Sequence, residues 1–188
     1  PMTCISYDDL QSAASQRSLT LLGGFHPDKD EVGLEDCRTL LMVGPDERHF
    51  WPRFLRSDEY LDGRPDPVDR WSIRVVGDLA TIAGARALYP FGDAPYLPFY
   101  QWALRTQNIH ISPVRLLVSD DHGLFVSFRG ALSLPHRIDL PAAVPSPCIS
   151  CATKPCLAAC PVDAMGDHEY SDDACRAHIR SSDGHGCL

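Results

Sequence analysis

The chain has 188 residues, of which 44% are hydrophobic and 22% charged, and its formal net charge at pH 7 is −8. These values are ordinary for a soluble globular protein of one domain with a small appendage. The acidity disfavours nucleic acid as a partner, and no apolar run approaches the roughly 18 residues that a membrane helix needs. Polar and acidic side chains in residues 1–20 predict no secretory signal, so we expect a cytoplasmic protein.

The first part of the chain is predicted to alternate helices with short apolar strands. Ser6 followed by Asp9 is a capping-box pattern, and it predicts a helix that runs to about Arg17. Apolar runs then predict two strands, and an aromatic segment predicts a short helix. These three elements are expected at 18–25, 38–43 and 49–56.

The longest predicted helix begins near Asp66 and ends near Gly84. Asp66 as N-cap, Pro67 in the first turn and Asp69 as an early acid are its start signals. Four apolar residues recur inside it at helical spacing, and they predict a buried face rather than a cofactor site. These residues are Trp71, Val75, Leu79 and Ile82.

The elements that precede the cysteine-rich end are short. Gly123 marks the turn of a predicted hairpin. Several prolines between 134 and 147 predict an extended linker after it. A strand, a helix and the two arms of the hairpin are expected at 87–89, 99–106, 114–119 and 124–128.

The order of these elements predicts an α+β protein in which helices flank a mixed sheet. Residues 1–140 would form this domain, which is large enough to bind a cofactor or a substrate. Residues 141–188 would form a smaller, cysteine-rich module.

Four cysteines lie within thirteen residues, in the pattern Cys148-x-x-Cys151-x-x-x-x-Cys156-x-x-x-Cys160-Pro. Thiolates crowded on a short loop are typical ligands of iron–sulfur clusters, and a closing Cys-Pro pair is typical of ferredoxin runs. The ferredoxin run has two residues between its second and third cysteines, whereas this chain has four. We expect a [4Fe–4S] cluster at this run.

The ferredoxin pattern also divides the ligands. Its first three cysteines hold one cluster and the fourth reaches another. That rule assigns Cys148, Cys151 and Cys156 to one cluster, and it leaves Cys160 spare or in an incomplete second site. The candidates for the fourth ligand of the first cluster are Cys187 and Cys175.

Two other uses of the cysteines are open. A structural zinc site also uses Cys-x-x-Cys pairs, and His168, His178 or His185 could complete one. A disulfide framework is disfavoured by the length of the chain and by the predicted absence of a secretory signal. Cys4 and Cys37 stand alone upstream, and we expect them to pack as small hydrophobic side chains.

The segments 116–119 and 123–130, a leucine-proline stretch and the cysteine run, in this order, resemble the C-terminal half of epoxyqueuosine reductase. In that family a hairpin near the end of a cobalamin-binding domain leads into ferredoxin-like cluster motifs, and the reductive dehalogenases share this arrangement. The resemblance implies a nitroreductase-like fold, as in the CblC proteins, followed by a ferredoxin-like module. Epoxyqueuosine reductases are longer and carry two clusters, for which this chain has too few cysteines.

The resemblance also implies a proton donor. That family carries a catalytic aspartate just before a proline, and Asp93 in Gly92-Asp93-Ala94-Pro95 is similar but shifted by one residue. The alternative is that Asp93 is a turn residue without a chemical role.

A flat organic cofactor on the first domain would need an aromatic pocket and polar groups near it. A packed core edge and a surface-loop histidine are the alternatives for these residues. The sequence leaves open whether a corrinoid or a flavin binds. The candidate residues for such a pocket are His26, Tyr89, Tyr96 and Trp102.

Two classes of function follow. In the first, the chain is an iron–sulfur redox protein that passes electrons to a cofactor or substrate on residues 1–140, or to a redox partner protein. In the second, a zinc ion or a cluster only holds the C-terminal loop of a non-enzymatic binding module in place. The size of the first domain favours the redox protein, because a simple electron carrier does not need it.

Overall fold

The computed structural model describes residues 5–28, 31, 33–165 and 170–187. The chain divides into two compact units. The first unit comprises Pro1–Ile109 and Ser127–Val144, and the second comprises His110–Val126 and Pro145–Leu188. The cysteine run therefore shares a unit with an earlier segment of the chain. The expectations for Cys4 and His168 lie outside the described residues.

The helices and strands of the described residues are short, apart from one helix. The α-helices are α1 (Tyr7–Ser15), α2 (Phe50–Phe54), α3 (Asp58–Leu61), α4 (Pro67–Ala83), α5 (Phe99–Ala103) and α6 (Asp172–Ile179). The strands are β1 (Leu19–Phe25), β2 (Thr39–Pro45), β3 (Arg86–Leu88), β4 (His110–Ile111), β5 (Leu117–Val118) and β6 (Gly130–Leu134). Two 3₁₀ turns cover Pro155–Ala158 and Ser182–Cys187.

The first unit is built on a four-stranded sheet with the order β1-β2-β6-β3. The predicted α+β class is confirmed, but the predicted mixed sheet is wrong, because every pairing in this sheet is antiparallel. β2 and β3 run in the same direction, and the helical connection between them is the kind that joins parallel neighbours. They are not neighbours, however, because β6 lies between them.

The central strand β6 was not predicted. Its sequence, Gly-Ala-Leu-Ser-Leu, is short and contains small residues, yet all five residues are buried. A Cβ at Gly130 would lie 2.9 Å from the Leu88 carbonyl oxygen and 2.9 Å from Val76 Cγ1. Glycine is therefore required where α4 and β3 approach β6 most closely.

The start of α1 confirms the predicted capping box. The Ser6 hydroxyl accepts a hydrogen bond from the Asp9 amide at 3.1 Å, and the Asp9 carboxylate accepts one from the Ser6 amide at 3.1 Å. Two backbone donors at the helix start are satisfied in this way.

Helix α4 has the predicted extent but begins differently. Asp66 has a φ of +53° and makes no capping hydrogen bond with its side chain, so Pro67 is the main start signal. Trp71, Val75 and Leu79 are buried as predicted. The prediction for Ile82 is wrong: its side chain is exposed, because the buried face continues through Ala80 and Ala83.

The apolar core of the first unit lies between the sheet and the helices α1, α2 and α4. The rings of Phe50 and Trp71 meet edge to face, with centroids 5.1 Å apart, and Phe54 stacks on Phe50 at 5.6 Å. Among the described residues, no helix is both long and apolar enough to cross a lipid bilayer.

The second unit contains the predicted turn at Gly123 but not the predicted hairpin. Ser119 and Gly123 exchange two backbone hydrogen bonds of 3.0 and 2.9 Å, and Gly123 has a φ of +55°. Residues 124–128 form no strand, and β5 pairs with β4 instead.

Candidate functional site

The first three cysteines of the run lie on two tight turns. The Cys148 amide donates to the Ser146 hydroxyl at 3.3 Å, which begins the first turn. Cys156 lies in the 3₁₀ turn Pro155–Ala158, which follows Lys154 with a φ of +39°. The longer spacing between the second and third cysteines thus contains a left-handed residue and a proline that starts a turn. The described cysteines are all free thiols, so no described pair supports a disulfide framework.

Cys148, Cys151 and Cys156 line one cavity of about 190 Å³ within the second unit. Ser112 also lines it. The other lining residues are apolar: Val118, Leu124, Pro147 and Pro155. The cavity therefore places three soft sulfur ligands among apolar side chains.

Ser112 is the residue of this cavity that carries a hydroxyl. Its backbone is fixed, because its amide donates to the Leu116 carbonyl and its carbonyl accepts from the Arg115 amide, each at 2.9 Å. The side chain is 96% buried, since the residue is 4% exposed, and its hydroxyl has no hydrogen-bond partner. Buried hydroxyls are normally paired, so this one points to a missing acceptor.

The residues of the cavity fit an iron–sulfur cluster in their chemistry. Three thiols supply the soft ligands that iron–sulfur clusters use, and the hydroxyl supplies a donor for a sulfur acceptor. The fourth ligand is not among the lining residues: Cys160, Cys175 and Cys187 all lie outside this set.

A single metal ion is a poorer fit to the described residues. None of their His, Cys, Asp and Glu side chains form a group of three that could hold one ion, so His178 and His185 complete no such group with the cysteines. Zinc requires its ligand atoms to converge within about 2.3 Å of one ion. The thiolates of a [4Fe–4S] cluster bind different iron atoms, so their sulfurs need not converge in that way.

Cys160 and Cys175 lie near a different side chain, the phenol of Tyr170. The Cys160 sulfur accepts a hydrogen bond from the Ala164 amide at 3.2 Å. The amides of Val162, Ala164 and Met165 together hold the pKa of this thiol below its usual value, with Val162 contributing most. The pKa of Tyr170 is raised, first because its hydroxyl donates to Cys175 and further because of the charge on Cys160.

Helix α6, which carries Cys175, was not predicted. The hydroxyl of Ser171 caps it by accepting from the Ala174 amide at 3.3 Å, and Asp172 and Asp173 occupy its first turn. This cap and these acids are the signals that could have identified it. Cys187 ends the second 3₁₀ turn and is exposed.

Asp93 and Tyr96 lie on the surface of the first unit. Both are exposed and flank the cis peptide bond between Ala94 and Pro95. Asp93 lies in a bend of the chain, a position that is compatible with the alternative that it is a turn residue. The role of Asp93 as a proton donor stays a prediction.

The other three candidates for a cofactor pocket have separate protein partners. His26 shares a hydrogen bond of 3.0 Å between its Nε2 and the Ile138 carbonyl oxygen. The Tyr89 hydroxyl donates to the Ile73 carbonyl at 3.0 Å, and burial raises its pKa. Trp102 is buried, and its ring packs against another aromatic ring, that of Phe99, with centroids 5.3 Å apart.

Sequence reasoning found the three thiols but missed Ser112 and two apolar walls of the cavity, Val118 and Leu124. The walls lay in predicted hairpin arms, whose exposure could not be read from their pattern. Ser112 precedes a proline and carries no signal of its own, because its significance depends on residues distant in the chain.

Comparisons of the chain with protein-family models, with curated proteins and with solved structures found no match in any of the three. The resemblance to epoxyqueuosine reductase therefore stays a prediction, and function is argued from the cysteine-lined cavity.

Proposed function

We propose that this chain is an iron–sulfur redox protein. Cys148, Cys151 and Cys156 would hold a [4Fe–4S] cluster, which when bound accepts and donates single electrons. The observation that carries the proposal is that these three thiols line one cavity whose other walls are mainly apolar. The polarity of the surroundings of a cluster is one of the factors that set its reduction potential.

The proposal includes a destination for the electrons. They would pass to a cofactor or substrate on the first unit, or to a partner protein in the cytoplasm. The net charge of −8 suits docking to a partner with a basic surface. The first unit would bind a corrinoid or a flavin, and its fold would be of the nitroreductase or CblC type. This part rests on the resemblance in sequence and on the size of the first unit.

The experiment that tests the proposal is iron and sulfide analysis of the anaerobically purified chain, with its visible spectrum. We expect about four iron and four sulfide per chain, and absorption near 400 nm that dithionite bleaches. Zinc without sulfide would contradict the proposal and would leave a metal-stabilised binding module.

Single substitutions test the ligand assignment. Cys151→Ala should abolish cluster incorporation, because it removes one of the three thiols of the cavity. Cys37→Ala is the matched control, since Cys37 is a buried thiol of the first unit whose pKa is raised by that burial. Cys4→Ala should likewise leave the iron content unchanged. Full iron and sulfide in Cys151→Ala would show that the assignment is wrong.

Binding of the organic cofactor is measured separately. Cobalamin and flavin mononucleotide are each titrated into the cluster-loaded protein, and a saturable change in their absorption spectra would support a cofactor site. Unchanged spectra with both would contradict that part of the proposal while leaving the cluster untouched.

A further inference from the structure

We propose that Ser112 tunes the cluster by donating a hydrogen bond from its hydroxyl to a cluster sulfur. The inference rests on the proposed function, because it needs a cluster in the cavity lined by Cys148, Cys151 and Cys156. It goes further by assigning a role to a residue outside the cysteine run. Ser112 would be a positioning and tuning residue and not a ligand.

The Ser112 hydroxyl is buried and unpaired. Ser112 is 4% exposed, so bulk water does not readily form a hydrogen bond with its hydroxyl, and its Oγ has no protein partner. A hydroxyl in this position destabilises the fold unless an acceptor is present. Ser112 is one of the residues that line the same cavity as the three thiols, so an acceptor bound there would lie next to this residue.

The backbone of Ser112 is held in place. Both backbone hydrogen-bonding groups of Ser112 are used within the tight loop 112–116, in bonds of 2.9 Å to Leu116 and from Arg115. The preceding residue Ile111 is paired with Leu117 in the β4–β5 ladder. A donor on a fixed backbone loses less conformational freedom when it forms its bond than a donor on a mobile loop does.

The chemistry of the cavity favours a cluster sulfur as the acceptor. The remaining lining residues, apart from the thiols, are apolar and offer no hydroxyl or amide side chain that could accept from Ser112. Sulfide and thiolate sulfurs in a cluster carry negative charge and accept hydrogen bonds, and such bonds raise the reduction potential because the reduced cluster is the more negative state.

The test compares Ser112→Ala with the wild type in an anaerobic redox titration, with iron and sulfide measured on the same samples. We expect unchanged iron and sulfide, and an oxidised-to-reduced ratio at fixed potential that rises three- to tenfold. A tenfold change corresponds to a potential about 59 mV lower for a one-electron couple. Ser112→Thr, which keeps the hydroxyl, should restore most of the wild-type potential.

Ser119→Ala is the matched control. Ser119 is also a buried serine of the second unit, but its hydroxyl accepts from the His122 amide at 3.1 Å and it does not line the cavity. We expect its potential to equal that of the wild type. If Ser112→Ala does not fold, the loaded wild type is measured alone, and iron–sulfur stretching bands that do not shift on exchange from H₂O into D₂O would overturn the inference.

A second readout distinguishes a hydrogen bond from a general effect of packing. Exchange from H₂O into D₂O should shift the iron–sulfur stretching bands of the wild type more than those of Ser112→Ala. Equal potentials and equal isotope shifts in loaded wild type and Ser112→Ala would overturn the inference and leave the proposed function standing. Absence of iron and sulfide from the wild type would overturn both.

Discussion

In the first unit, helices α1, α2 and α4 pack on a four-stranded sheet and share a continuous apolar core. In the second unit, the buried hydrophobic residues within the described part of the chain are only Val114, Val118 and Ala164. Burial of apolar surface is the main stabilising contribution to folding, so the apolar core of the first unit can stabilise that unit without a metal. Small units with little core commonly depend on a metal or on disulfides, and the described cysteines of the second unit are free thiols.

The largest effect should come from removal of the proposed cluster, which should destabilise the second unit and leave the first unit unchanged. We expect that chelation under oxidising conditions raises the rate of amide hydrogen exchange by orders of magnitude in the second unit, because binding of the proposed cluster would be coupled to the folding of this unit. Amides of β2 and β6 should keep their protection and serve as the control in the same sample. Equal protection of the second unit before and after removal would show that it is stable without metal.

Trp71→Ala should have the next largest effect, and on the first unit. The side chain is 1% exposed and packs edge to face against Phe50, so we expect a loss of about 3–5 kcal/mol in the free energy of unfolding. Urea denaturation measures it. Ile73→Ala, in the same helix but 51% exposed, is the control and should cost less than about 1 kcal/mol. Similar losses for the two variants would contradict the position of the core.

Glu59→Gln should have the smallest effect and should depend on pH. The Arg74 guanidinium donates two hydrogen bonds to the Glu59 carboxylate, at 2.6 and 2.9 Å, and lowers its pKa to about 2. Because Arg74 is half exposed, solvent screening limits the contribution of the pair to about 1 kcal/mol or less. This stability is complete above the usual pKa of glutamate, near 4.5, and is lost as the pH falls towards 2.

Urea denaturation at several pH values checks this prediction. The wild type should exceed Glu59→Gln in stability at pH 7, and the difference should shrink between pH 4.5 and pH 2. Arg74→Gln should show the same loss at pH 7, and the double variant should lose little more. A difference between wild type and Glu59→Gln that does not change with pH would contradict the pairing.

The predictable elements of the fold were those with local signals. The capping box of Ser6 and Asp9 lies at the start of α1, and the apolar residues Trp71, Val75 and Leu79 recur within α4. Each pattern depends only on residues of its own helix, so the sequence alone located both. Strand β6 depends on contacts with β2 and β3, which are distant in the chain. Its small residues, which suit the close approach of α4 and β3, have no strong strand propensity, so the pattern of the sequence concealed it.

The candidate site divides in the same way. The three thiols could be identified as candidate ligands because their spacing within a short segment is itself a motif. Ser112 gains its significance only when the fold places it beside Cys148, Cys151 and Cys156, and no spacing within the sequence expresses that proximity. The resemblance to epoxyqueuosine reductase did not point to Ser112 either.

The position of β6 between β2 and β3 has a consequence for synthesis of the chain on the ribosome. β6 is the last of the four strands to be made, yet it is the one that joins β2 to β3. Until residue 134 has emerged, the facing edges of β2 and β3 present unpaired amide and carbonyl groups, which can pair with other chains. A nascent chain halted before β6 is complete would therefore be aggregation-prone and would depend on chaperones, although most of its core residues had already been synthesised.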